Sequence, residues 1–208
     1  MWNIKLGCWL QLSELEKTIN EHNKAEDIHL VNNDQTYNKL VKKYYDEVLP
    51  IFYYAKQYGA TEVFYVDDNK PDNEFDGKLK VKEGIISIEC TKAVNEKNAE
   101  LQNFLREHYC GYTTNFSMPA DEFKKGIIQI VENGIKEKIN KANKKPNKYK
   151  GFHLILTLDD ILFTYCSLNE FLIGMEKYFT MDNIIPFSKV IFCSKTETGY
   201  PTFLKEIG

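Results

Sequence analysis

Apolar residues Tyr37, Leu40, Val41, Tyr44, Val48, Leu49, Phe52 and Ala55 recur at three- and four-residue steps, the spacing of one helix face. Pro50 interrupts this run and is expected to kink or divide the helix, because it lacks a backbone donor and its ring crowds the preceding turn. Gly59 is the expected stop. Upstream, Ser13-Glu14-Leu15-Glu16 matches a capping box and predicts a short helix ending near His22, followed by polar loop over 23–35. Beyond Gly59 the period shortens. Glu62 to Val66 reads as a strand, Asp67 to Asn73 as loop, and Phe75–Lys82 with Ile85–Thr91 as a hairpin around Glu83-Gly84. Helical periodicity then returns in a polar segment, Glu96 to Tyr109. It strengthens after Pro119 and Asp121, where Phe123, Ile127, Ile130, Val131, Ile135 and Ile139 form a stripe running to about Lys144. Phe152 to Leu158 predicts an apolar strand, Asn169 to Phe179 a helix, and Val190 to Cys193 a last short strand.

The resulting order is helix, strand, strand, strand, helix, strand, helix, strand. It predicts an α/β fold with a mixed central sheet whose first three strands form an antiparallel meander, flanked by helices. Residues 1–35 are expected as an N-terminal helical appendage and 36–208 as a single α/β domain.

Composition adds a core and an asymmetry. Hydrophobic residues make up 43% of 208, enough to support a packed interior and to argue against disorder. The net charge of −3 gives no overall pull toward nucleic acid, but its distribution is uneven. Residues 121–150 hold nine lysines against four acids, so this segment is +5 and the remainder −8. Such a contrast points to a partner-facing surface, with Lys141, Lys144, Lys145 and Lys148 at its centre. The five cysteines are widely spaced, with no CxxC or Cys/His cluster, which argues against zinc and for reduced thiols in a cytoplasmic protein. No stretch is apolar enough for a membrane span, and the N-terminus has no signal-peptide pattern.

The chemistry concentrates in the hairpin. Asp76 lies thirteen positions before Glu89, each near the end of its strand remote from the turn. Side chains alternate, so Asp76 shares a face with Lys78, and Glu89 with Ser87 and Thr91. A two-residue turn at Glu83-Gly84 would set Lys78 across from Glu89 and Asp76 across from Thr91. A three-residue loop would set Asp76 across from Cys90 and separate the carboxylates, unless a bulge restored them. Two carboxylates held on strands can bind a hard divalent cation, and a nearby lysine can orient water or stabilise negative charge.

The run from the helix before Gly59 to the strand at Phe152 resembles the PD-(D/E)XK, or restriction-endonuclease-like, nuclease family, over about half of the chain. That family has a helix, a three-stranded meander, a helix and a further strand. An acid on its second strand precedes an (Asp/Glu)-x-Lys tripeptide on its third. The resemblance implies that Asp76 and Glu89, with the backbone carbonyl of Cys90, hold Mg²⁺ or Mn²⁺ for hydrolysis of DNA or RNA phosphodiesters. The family lysine would fall at position 91, which is Thr91. Lys92, adjacent but on the other face of an ideal strand, and Lys78, on the neighbouring strand, are the candidates for its role. Glu47 is a weaker candidate for a helical acid. The alternative is a catalytically inactive relative of the fold that binds nucleic acid or a protein partner. The chain's size suggests a homodimer or a protein partner, within a defence or mobile-element system.

The remaining features take ordinary structural readings. Asp67, Asp68, Asp72 and Glu74 lack the spacing of an EF-hand, and His108 and His153 have no evident partners in the sequence. The aromatics at 44–54 fit a helix stripe better than a base-stacking platform.

Overall fold

The computed structural model describes residues 4–26, 43–67, 75–93, 103, 104, 107, 119–158, 171, 173, 184–195 and 201–207. A seven-stranded mixed sheet runs in chain order: β1 (Trp9–Gln11), β2 (Glu62–Tyr65), β3 (Gly77–Val81), β4 (Gly84–Lys92), β5 (His153–Leu158), β6 (Lys189–Lys195) and β7 (Pro201–Ile207). Strands β1 to β4 pair antiparallel, β4 to β6 parallel, and β7 antiparallel to β6. The expected mixed sheet with an antiparallel meander is therefore present, extended by two strands the periodicity did not reveal, β1 and β7. The former last strand, Val190 to Cys193, lies within β6 and is followed by β7.

Helices cover both faces. On one side lie α1 (Leu12–Glu26) and α2 (Leu49–Gln57), the latter preceded by a π-helical turn, Tyr44–Val48. Pro50 explains the division. It has no N–H to offer Asp46, and the Leu49 N–H bonds instead to the carbonyl of Tyr44, five residues back. Tyr44, Phe52 and Tyr54 are buried against Leu79, Ile88 and Ile155, so these aromatics belong to the core, as the helical spacing indicated. Leu15 and Ile19 of α1 join the same core, and β1 extends the same sheet; the segment expected as an appendage thus contributes to both.

On the other side lies α3 (Ala120–Asn143), followed by the short α4 (Pro146–Tyr149). Its stripe of Phe123, Ile127, Ile130, Val131, Ile135 and Ile139 packs on Leu154, Leu156 and Leu158 of β5 and on Val190 and Phe192 of β6. Strand β5 is buried at every position, as a central parallel strand between two helical layers must be. The expected helices over 96–109 and 169–179 lie almost wholly outside the described residues. Among the described residues, no helix is long and apolar enough to cross a membrane.

Candidate active site

The hairpin register decides what the two acids can do. Val81 pairs with Gly84, so the turn is Lys82-Glu83, one residue earlier than the sequence suggested. Lys80 pairs with Ile85, Lys78 with Ser87, and Gly77 with Ile88. The ladder ends at Gly77, and Asp76 departs from its register: its N–H turns to the Ile88 carbonyl and its carboxylate reaches the Cys90 N–H, which sets it beside the stretch that holds Glu89. The expectation that Lys78 faces Glu89 is corrected by this register: Lys78 is opposite Ser87, and its ammonium sits 4.1 Å from the centre of the Phe75 ring. The shift arises because Gly84, with φ of +138°, enters the strand directly and is not used inside the turn.

Backbone bonds anchor Asp76 beside β4. Its N–H donates to the Ile88 carbonyl at 3.0 Å, and its Oδ2 accepts from the Cys90 N–H at 2.7 Å. The N–H and C=O of one strand residue project to the same side, so the Cys90 carbonyl also points toward Asp76. Gly77, the next residue, lets Ile51 of α2 and the backbone of β2 pack closely against it. A Cβ there would lie 2.8 Å from Ile51 Cδ1 and 3.0 Å from the Phe64 carbonyl.

Charge is concentrated here without full compensation. Asp76 is pushed up to about 8, first by burial, then by the negative charges of Glu89 and Glu47; the Cys90 N–H and Lys43 pull the other way. Glu89 is pushed up to about 7, chiefly by burial and also by Glu47, with Lys148 and Lys138 opposing. The Glu89 charge thus adds to the rise at Asp76. Glu47 enters from the π-helical turn, where Lys43 approaches it at 2.9 Å.

The lysines sort by face. Lys92 lies on the face of Ile88 and Cys90, toward the π-helical turn, where its ammonium is 3.6 Å from Asp46 Oδ1. Glu89 and Thr91 lie on the opposite face, toward α3. There Lys138, from the C-terminal part of α3, donates to Thr91 Oγ1 at 2.5 Å. Burial lowers the pKa of its ammonium, as does neighbouring Lys141, while Glu89 and Glu137 raise it. Lys138 is thus the residue that sequence reasoning missed. It was counted in the basic segment but given no role. The available signal was its place three residues after Ile135 and next to Ile139, at the margin of the buried stripe.

Glu89 and Thr91 open onto a cleft of about 420 Å³ between the sheet and the end of α3. Lys138, Lys141, Lys144 and Lys145 line its helical side. Ala142, Leu154, Phe187 and Tyr149 supply the apolar part of the lining. Three of the four lysines expected as a phosphate-contacting group, Lys141, Lys144 and Lys145, therefore face the same cleft as Glu89. The fourth, Lys148, is close enough to act on the Glu89 charge and places its ammonium 4.8 Å from the centre of the Tyr149 ring.

The donors here are of the oxygen type that a hard cation takes. The oxygens that could serve one are the carboxylates of Asp76 and Glu89 and the Cys90 carbonyl, with Glu47 near enough to act on both charges and burial disfavouring them. Among the described residues, no group of three or more His, Cys, Asp or Glu side chains is placed to hold a metal ion. Burial, and then the nearby charges of Asp76, Cys193, Glu47 and Glu89, push the Cys90 thiol well up. No family model, no curated protein and no solved structure matches this chain.

Proposed function

We propose that this chain is a metal-dependent nuclease of the restriction-endonuclease-like, PD-(D/E)XK, type, hydrolysing phosphodiester bonds of DNA or RNA. The observation that carries the reading is Lys138 at Thr91, beside Glu89, in a lysine-lined cleft. It supplies an ammonium next to the second acid although the strand has threonine where the family pattern has lysine.

Asp76 and Glu89, with the Cys90 carbonyl and with Glu47 nearby, would hold Mg²⁺ or Mn²⁺. When bound, the ion would supply Lewis acidity toward a phosphoryl oxygen and lower the pKa of water. The chain's own residues do the rest. Thr91 accepts a hydrogen bond from Lys138 and thereby aims its ammonium at the face Glu89 occupies. That ammonium can hold an attacking water or oppose negative charge building on the phosphoryl oxygens. Lys141, Lys144 and Lys145 fix the flanking phosphates, contacts that position a strand without reading its sequence. Lys92, engaged with Asp46 on the far face, has a structural role in this scheme, and Lys78 is turned toward Phe75. The rival reading, an inactive nucleic-acid-binding relative, drew its support from Thr91; Lys138 weakens that support.

The test is cleavage of labelled single-stranded DNA, duplex DNA and RNA with Mg²⁺ or Mn²⁺, with and without chelator, alongside calorimetric titration of the ions. Cleavage that chelation stops is the expected result. Absence of both ion binding and cleavage under these conditions would overturn the proposal.

A further inference from the structure

The cleft next to Glu89 has two kinds of lining, and the second kind is not needed for holding phosphates. Lysines on α3 account for affinity toward a polyanion. The apolar lining of Ala142, Leu154, Phe187 and Tyr149 offers nothing to a phosphate and is wasted on a helix whose bases are paired and stacked out of reach. Tyr149 is held in an aromatic cluster, its ring centre 5.8 Å from Phe152 and 5.6 Å from Phe187. It therefore forms a fixed wall rather than a mobile flap. Only Tyr149 of that trio is half-exposed while also lining the cleft; Phe187 is buried beneath it.

We infer that this cleft accepts one unpaired nucleotide beside the scissile phosphate, with sugar and base against Tyr149 and its apolar neighbours and with phosphates on the lysines. The inference rests on the nuclease reading and deepens it: the substrate class is a single strand, or the frayed or overhanging end of a duplex, rather than uninterrupted duplex. Two observations converge. The volume of about 420 Å³ lies in the range of a small-molecule pocket, roughly 300–1,000 Å³, and is far too small for a duplex segment. The lining is amphipathic in the way a nucleotide is, cationic on one side and aromatic on the other.

The experiment uses the full chain and one sequence presented in four forms: single-stranded DNA, single-stranded RNA, blunt duplex DNA, and duplex DNA with a single-stranded overhang. Cleavage is followed in Mg²⁺ or Mn²⁺, and binding by fluorescence anisotropy in Ca²⁺. The expected result is that a single-stranded form and the overhang are bound and cut at least tenfold better than blunt duplex, with the DNA and RNA arms showing which strand is preferred. Tyr149→Ala should weaken single-strand binding by roughly tenfold, about the effect of losing one stacked base. Tyr149→Phe, which keeps the ring, should recover it. Blunt duplex handled as well as the single strands, or Tyr149→Ala lowering every form equally, would overturn the unpaired-nucleotide assignment while leaving the nuclease reading intact. Failure of all four forms to bind or be cut would overturn both.

Discussion

The two faces of β4 alternate residue by residue yet carry opposite assignments. Toward the π-helical turn and α2 lie Ile88, Cys90 and Lys92; toward α3 lie Ser87, Glu89 and Thr91. Each face has a lysine near the strand's end. On the first, Lys92 belongs to the strand and is paired with Asp46. On the second, Lys138 arrives from a helix in the other layer and bonds to Thr91. The difference teaches that a strand offers only every second side chain to a given face, so a cation needed beside Glu89 cannot be the next-but-two residue on an unbulged strand. It has to sit two positions on, where this chain has threonine, or come from elsewhere. Here α3 brings it.

The most severe way to break this contrast is to remove the acid on which it centres. Glu89→Gln keeps the shape and loses the charge, and should reduce metal-dependent cleavage by more than roughly 100-fold, since even groups behind a metal's direct ligands cost 10- to 100-fold. Single-turnover cleavage of a labelled oligonucleotide measures it, and activity within a fewfold of wild type would detach Glu89 from the chemistry.

A sharper division comes from the lysines. Lys138→Met should lower the rate by about 100-fold, comparable to removal of one oriented donor from a site of developing negative charge. Lys92→Met and Lys78→Met should leave turnover near wild type once folding is confirmed by circular dichroism. Equal losses from Lys92→Met and Lys138→Met would erase the distinction between the two faces.

The smallest effect is in stability. Burial and neighbouring acids raise the Asp76 and Glu89 carboxyls above their unfolded values, so the folded state favours their protonated forms. The stability they contribute is complete below the unfolded carboxylate range and is lost as pH rises through about 7 and then about 8. In metal-free protein the thermal midpoint should therefore fall between pH 5 and 9. Asp76→Asn should flatten that slope by several degrees, given about 2–4 °C per kcal/mol for a chain of this size. Mg²⁺ added at pH 8.5 should raise the midpoint of the wild type more than that of the variant. An unaltered slope in Asp76→Asn would place its origin elsewhere.

Much of the fold was legible because its burial is periodic. The stripe of α3 has one face to hide, and β5 is an unbroken apolar run because both of its faces are covered. The meander showed itself by alternation. Strand β1 did not, since three residues, Trp9 to Gln11, are too few to establish a period. Strand β7 starts on Pro201 and carries Lys205 next to Glu206, whose carboxylate pairs with Lys189 of β6; charge there masks the pattern. At the site, the identity of Asp76 and Glu89 as candidates could be read, but not their register. That depended on whether Gly84 served the turn or the strand, and both uses suit glycine. Lys138 escaped because helical periodicity shows that it borders the buried stripe, not which strand lies beneath it. Glu47 was visible as a helical acid, while the π-helical turn that sets its direction follows from Pro50 only once the chain is seen to continue through it.

The turn at Lys82-Glu83 has one further consequence, which concerns inheritance. Exposed hairpin tips are where chains ordinarily gain and lose residues at little cost. This tip is exposed, yet it sets which part of β4 Asp76 meets several residue pairs away, with its N–H on Ile88 and its carboxylate on Cys90. One inserted residue would slide β3 against β4 and turn every side chain of one strand to the opposite face, parting the two acids while leaving the hydrogen-bonded ladder able to re-form. Descendants of this chain are free to change which residues occupy positions 82 and 83. They are not free to change how many there are.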